Sequence, residues 1–427
     1  MAGASPVPTT MPPRSSLAID NLRAIVILLV LSFHSVLAYL NFLPPHPFAF
    51  DDPPFLWRSF PIVDSERWIG FDLYCAWQDV FLMSFFMFLS GLFVWPSLSR
   101  KSPLTFLSDR LLRLGLPFAV VVLVLMPLAH YPTYLQTATD PGLEAFWRHW
   151  LALPLWPIGP MWFLIVLLAG DLLAAAAYPL LAPYADKVLH LSSYARRHPA
   201  RFLAGMLLAS ALAYIPLELT FGASAWFHRG PVSFQLSRPL HYAVYFFSGA
   251  VVGACGIERG LLAIDGPLAR RLGASLGVAL AAFMLWLALT ALVRSEADAA
   301  PVAFRVADDL SFTLACLASC CFALAFGLRF VRLPSRILDS LKANAYGMYL
   351  IHYVFVVWLQ YALLGPAWWG IVKGTIVFAG TLALSWAVSE ASRQIPLVAQ
   401  IIGADRRRVA ATPRRAAVHG RSVGLGD

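Results

Sequence analysis

At 427 residues the chain is long enough for roughly three soluble domains, yet 59% of it is hydrophobic. Only 13% is charged, about half the ~25% of a soluble globular chain. With a mean hydropathy of +0.69, 14 Trp and 30 Phe, the composition excludes a soluble protein and predicts an all-α, polytopic protein whose first partner is the lipid bilayer. The formal charge of +9 would suit nucleic acid or an anionic surface, but the basic residues sit in short segments between apolar runs. They read as topology signals, and nucleic acid is not expected as a partner.

Residues 1–18, MAGASPVPTTMPPRSSLA, are rich in Pro, Ser and Thr and lack an apolar core ahead of a cleavage site. They predict a disordered cytoplasmic tail, with the first apolar run retained. The membrane domain is expected over 19–392 and a basic cytoplasmic tail over 393–427. Within the domain, ten apolar runs fall at 21–42, 73–95, 114–132, 157–181, 201–219, 239–256, 272–293, 308–328, 343–364 and 369–390. At about 20 residues per span they leave no room for a large soluble domain. Every even-numbered gap is basic: Arg100, Lys101, Arg110 and Arg113 follow the second run, for example, and Arg329, Arg332, Arg336 and Lys342 the eighth. The odd-numbered gaps carry Asp51, Asp52, Asp64 and Glu66, then Asp140 and Glu144, then Glu296 and Asp298. The positive-inside rule then puts both termini in the cytoplasm, which requires an even number of spans. The two longest outside loops, 43–72 and 133–156, are rich in Pro and Trp, as interfacial lids and interface anchors both are. The five cysteines form no C-x-x-C pair and imply neither a disulfide nor a metal site.

Ionisable residues at membrane depth are costly unless paired or wet, so each is a functional candidate. On the first span, Asp20 sits at an N-cap position, Arg23 lies one turn in and His34 follows eleven residues later. Eleven residues are three turns plus about 20°, so Arg23 and His34 share a face, about 16 Å apart along the axis. A cation at the cytoplasmic edge and an imidazole near the middle suit a long carrier with phosphates at one end and a reactive thioester at the other. The plain alternative has Asp20 capping, Arg23 snorkelling to headgroups and His34 bonded to a neighbouring helix.

A further pattern joins them. Ser90-Gly91-Leu92 closes the second span, Arg110 and Arg113 stand at i and i+3 before Pro117, Pro160-Met161-Trp162-Phe163-Leu164 heads the fourth span, and Tyr346-Gly347-Met348-Tyr349-Leu350-Ile351-His352 lies in the ninth. In this order, and with the Arg23 to His34 spacing, the chain resembles the acyltransferase family 3 of membrane proteins over about residues 18–390. The resemblance implies transfer of an acyl group, commonly acetyl or succinyl, from cytoplasmic acyl-CoA to a hydroxyl of an envelope glycan, a lipid-linked sugar or a small molecule. It implies the bacterial inner membrane, with acyl-CoA as a donor substrate and no bound cofactor, and the glucan succinyltransferase branch is among its implications. Carried over, His34 is the essential histidine, and Arg23, Arg110 and Arg113 hold the donor. The long first outside loop lies beyond the motif set. No hydrolase-like domain is appended, so the membrane unit itself must choose the acceptor.

The chemistry of the residue types agrees. Acyl transfer to an alcohol needs a base near working pH, which imidazole supplies, unless the imidazole is itself acylated and passes the group on. Planar guanidinium forks match phosphate oxygens, though Arg110 and Arg113 are also ordinary positive-inside residues. His352 sits at a depth similar to His34 and is a second catalytic candidate or a packed core histidine. Tyr349, Asp79, Asp171 and Trp162 are substrate-binding candidates; their plain readings are a core aromatic, two locally bonded carboxylates and a belt tryptophan. A secondary transporter or exporter is the rival class, weakened by the lack of inverted-repeat similarity between the halves.

Overall fold

The computed structural model describes residues 14–258, 260–296 and 300–401. Of the expected tails at 1–18 and 393–427, the stretches 1–13 and 402–427, with Arg259, Asp298 and Arg406 to Arg408, lie outside the described residues, whereas 14–18 begin the first helix and Pro396–Ile401 form a short one. The described residues form twelve principal helices: α1 (Arg14–Val36), α2 (Ile69–Gly91), α3 (Pro103–Leu135), α4 (Leu143–Ala152), α5 (Trp162–Leu181), α6 (Ala185–Arg197), α7 (Pro199–Phe221), α8 (Pro239–Ala254), α9 (Leu272–Ser295), α10 (Val302–Phe330), α11 (Arg336–Ala362) and α12 (Gly370–Ser392). Among the described residues eight helical stretches are long and apolar enough to cross a membrane. Of the ten expected spans, the other two fall on α8 and α11. The first has 16 residues against the ~20 a full span needs. The second carries polar residues such as Asn344, His352 and Gln360, all buried.

Helix α1 sits centrally, packed on α2, α10, α11 and α12, and α11 is wedged between α1, α3 and α12. Close approach of α2 and α8 depends on glycine. A Cβ at Gly249 or Gly253 would run into the carbonyl of Phe88 or Leu92, and one at Gly91 into that of Phe246. This is the small-xxx-small packing that lets membrane helices touch backbone to backbone, and it gives Gly91 of the Ser90-Gly91 pair its role.

The third span begins eleven residues earlier than its apolar run. Ser102 caps the helix by accepting from the Thr105 N–H at 3.1 Å, with Pro103 in the first turn, so Arg110 and Arg113 lie on a helix rather than in a loop. Two π-helical turns, Leu111–Gly115 and Val121–Leu125, interrupt it. Prolines strip donors from the helix, and α11 replaces them. Pro117 leaves the carbonyl of Arg113 without its i+4 N–H, and the Tyr346 hydroxyl donates there. Pro132 does the same to Leu128, whose carbonyl accepts from Trp358 Nε1 at 2.9 Å. The prolines of α3 thus dictate which residues of α11 face it.

Outside the spans the chain is not wholly helical. Trp226–Arg229 (β1) and Val232–Gln235 (β2) pair antiparallel between α7 and α8, with Trp226 opposite Gln235, an element the all-α expectation lacks. The two long loops expected outside, 43–72 and 133–156, pack together as one lid. Phe50, Phe55, Trp57, Tyr134, Ala145 and Phe146 make a small core of their own, with Phe50 stacked on Trp57 at 4.6 Å. Gln136 bonds the Val63 carbonyl at 2.8 Å and accepts from the Val63 N–H at 3.3 Å. Lys373 of α12 donates to both oxygens of Asp64 at 2.9 and 2.7 Å, with both side chains buried.

Candidate active site

A cavity of about 320 Å³ opens between α1, α2, α3, α5 and α11. Its lining carries Arg23, Arg100, Lys101, Arg110 and Arg113 against two carboxylates, Asp109 and Asp171. Asp109 is paired with Lys101, and Asp171 lies 3.4 Å from Arg110 Nε. Arg23, Arg100 and Arg113 have no carboxylate within salt-bridge reach among the described residues, so the cavity keeps a surplus of positive charge in a low-dielectric wall. Such a surface concentrates and holds anions. Aromatic rings place two of the guanidinium groups: Arg23 Cζ is 5.4 Å from the Phe93 ring centre and Arg110 Cζ 4.9 Å from that of Phe106. The three expected donor-side arginines are therefore brought together from two helices far apart in sequence.

One turn beyond Tyr349, which lines the cavity, stand the two histidines. The rings of His34 and His352 are 5.2 Å apart, tilted by 58°, and the His352 ring is 5.8 Å from that of Tyr349. His34 Nδ1 meets the Val30 carbonyl at 2.8 Å, and His352 Nδ1 meets the Tyr349 carbonyl at 2.6 Å. A carbonyl only accepts, so in each neutral ring Nδ1 carries the proton and Nε2 holds the free lone pair. Each helix thus selects the tautomer through its own backbone one turn back. Gln360 fixes the end of α1, donating from Nε2 to the carbonyls of His34 at 2.9 Å and Ser35 at 3.2 Å. Helices α1 and α11 run in parallel, so the pair faces the lid from the same depth.

The remaining candidates divide. Tyr349 lines the cavity, and its hydroxyl donates to the Pro160 carbonyl at 2.7 Å, which ties the Pro160-Met161-Trp162 turn to the site. Asp171 belongs to the cavity through Arg110 rather than to the imidazoles. Asp79 is not in the cavity: it is held by Arg238, whose Nη2 lies 2.7 Å from Oδ2 and whose guanidinium is 4.5 Å from the Phe312 ring centre. The cation missing from its own helix comes from the start of α8. Trp162 packs under the hairpin, 5.6 Å from Trp226 and stacked on Tyr242 at 6.2 Å, and is likewise outside the cavity lining.

Several participants escape a reading of the motifs. Tyr353 lies 5.6 Å from His34 and 5.6 Å from His130, which in turn is 5.1 Å from Trp57 of the lid. An unbroken line of rings therefore leads from Tyr349 through His352, His34, Tyr353 and His130 to Trp57 of the lid. His130 and Lys373 carried the same signal as His34, an ionisable residue in an apolar run. What sequence hides is the neighbour on the next helix. A separate buried polar cluster, outside the cavity lining, joins Ser210 to His241 Nδ1 at 2.8 Å and His241 Nε2 to Cys316 at 3.5 Å. No group of three or more His, Cys, Asp or Glu among the described residues is arranged to hold a metal ion.

No curated protein and no solved structure matches the chain. The model of an acyltransferase domain matches residues 16–390, a stretch that runs from the first turn of α1 to the last turn of α12 and includes the basic cavity and both imidazoles. The chain accordingly belongs to the acyltransferase family 3 of membrane proteins, and it is a membrane acyltransferase that transfers groups other than amino-acyl groups.

Proposed function

We propose that the protein takes an acyl group, acetyl or succinyl in the family's range, from cytoplasmic acyl-CoA and delivers it to a hydroxyl of an envelope glycan, a lipid-linked sugar or a small molecule at the opposite face of a bacterial inner membrane. The observation that carries this reading is the basic cavity that ends one turn short of paired imidazoles. Arg23, Arg100, Lys101, Arg110 and Arg113 suit the phosphates of the donor, and the thioester is then led toward Tyr349 and the histidines. His34 Nε2 is the working atom. As a base it removes the proton of the acceptor hydroxyl while the oxygen attacks the thioester carbonyl and the C–S bond breaks. As a carrier it attacks that carbonyl itself, releases the thiol, and is deacylated by the hydroxyl. The lid of residues 43–72 and 133–156 encloses the acceptor side, which supports exclusion of water from a reactive acyl group.

The test uses purified protein in nanodiscs, where no gradient exists, with loss of acetyl-CoA and succinyl-CoA thioester followed with and without added hydroxyl compounds. Thioester loss above that of His34→Ala supports the acyltransferase mechanism with acyl-CoA. Binding or counterflow of a small molecule with no thioester loss would support the transporter instead.

A further inference from the structure

The cavity lining is sorted by depth, and the sorting recurs on four helices. On α1, which runs outward from the basic side, Arg23 is followed one turn later by Ile27; on α11, running the same way, Tyr346 is followed by Tyr349. On α2 and α5, which run inward, Phe86 precedes Ser90 and Phe163 precedes Leu167 by one turn. Every cation of the lining lies on the inward side of this level. Ile27, Phe86, Phe163 and Tyr349 therefore form an uncharged collar between the anion-binding mouth and the imidazoles. Beyond the collar stand two imidazoles with their Nδ1 protons on backbone carbonyls and the Tyr353 ring. Further out, Lys373 is neutralised by Asp64, and Arg58 donates to the His228 ring at the hairpin.

We infer that the collar of Ile27, Phe86, Phe163 and Tyr349 makes the enzyme specific for uncharged acyl groups and rejects acyl groups that end in a carboxylate. This rests on the acyl-CoA reading above and narrows it. With the phosphates held at the mouth, the acyl end leads through the collar toward His34. To reach His34, a succinyl group must carry its carboxylate through an apolar ring with its solvation stripped and no cation within the ring to pair with it, a loss that nothing in the ring repays. Acetyl and butyryl groups meet the same ring with methyl ends, which it favours.

Butyryl and succinyl chains both have four carbons, so comparing them separates charge from length. Acetyl-CoA, butyryl-CoA and succinyl-CoA are given to the full-length protein in nanodiscs and kcat/KM for thioester loss is measured. The expected result is butyryl-CoA at least ~100-fold better than succinyl-CoA, with Phe86→Lys narrowing that ratio by ~10-fold or more while still binding free CoA. Succinyl-CoA within ~10-fold of butyryl-CoA overturns the inference and leaves the acyl-CoA reading standing. Acetyl-CoA used with butyryl-CoA and succinyl-CoA equally poor also overturns it, because length rather than charge then selects. Loss of none of the three thioesters above the His34→Ala background removes the acyl-CoA reading and the inference with it.

Discussion

At His34 the proposed chemistry turns on a single hydrogen bond. The Val30 carbonyl 2.8 Å from Nδ1 leaves Nε2 as the lone-pair nitrogen, which either role of this residue requires. His34→Ala is therefore expected to leave the fold in the membrane intact and to lower acyl transfer by at least ~100-fold, measured as product formed per mole of correctly folded protein. Arg23 lines the cavity at the other end of the same face. Arg23→Ala should raise KM for acyl-CoA with little change in kcat, and Arg23→Lys should recover only part of the loss, because an ammonium does not reproduce the planar fork. Full activity and donor affinity in Arg23→Lys would reduce Arg23 to a topology signal. The eleven-residue spacing made this pair legible in sequence, since helical periodicity needs one strand of information. Asp79 and Asp171 were not legible in the same way: both looked like isolated carboxylates, and their partners, Arg238 and Arg110, come from other helices.

Among the elements, the lid depends on a buried ion pair. Removing one partner of Lys373 and Asp64 leaves an uncompensated buried charge, so Asp64→Asn should cost about 3–5 kcal/mol. Thermal unfolding in nanodiscs should show this, and the double variant Asp64→Leu with Lys373→Met should recover most of it. The β1–β2 hairpin touches the lid through His228, whose ring accepts from Arg58 Nη1 at 3.1 Å. Partial burial, with the Arg58 guanidinium adding to it, pushes the His228 pKa down to about 4. The neutral ring is the folded form, so its contribution is present above about 6.5 and is lost as pH falls through about 4. Trp226 sits on the same hairpin, and its fluorescence together with limited proteolysis should report loosening over that window, with the response absent in His228→Gln. The helices themselves were readable as apolar runs. The start of α3 was not, because the run begins only at residue 114 while the Ser102 cap and Pro103 begin the helix among polar residues.

On the scale of the whole molecule, composition and apolar runs were sufficient to read a polytopic helical membrane protein. They were insufficient to assemble it. The glycine contacts of α2 and α8, the replacement of proline-orphaned carbonyls by Tyr346 and Trp358, and the convergence of five cations on one cavity are all relations between segments distant in sequence. The proposed donor site rests on that convergence, since basic residues that read as topology signals in sequence meet in one cavity only when α1, α2 and α3 bring them together.

The central claim is that donor and acceptor are met from opposite faces. It is tested most directly with membrane-impermeant acyl-CoA supplied to vesicles of defined orientation, the face bearing Arg100 and Lys101 being identified by labelling a cysteine placed at Ser99. Thioester loss is predicted when acyl-CoA is supplied to that face, with the acylated hydroxyl product accumulating on the other. Equal or faster thioester loss when acyl-CoA is given to the face bearing the Asp51 to Glu66 loop would contradict the account.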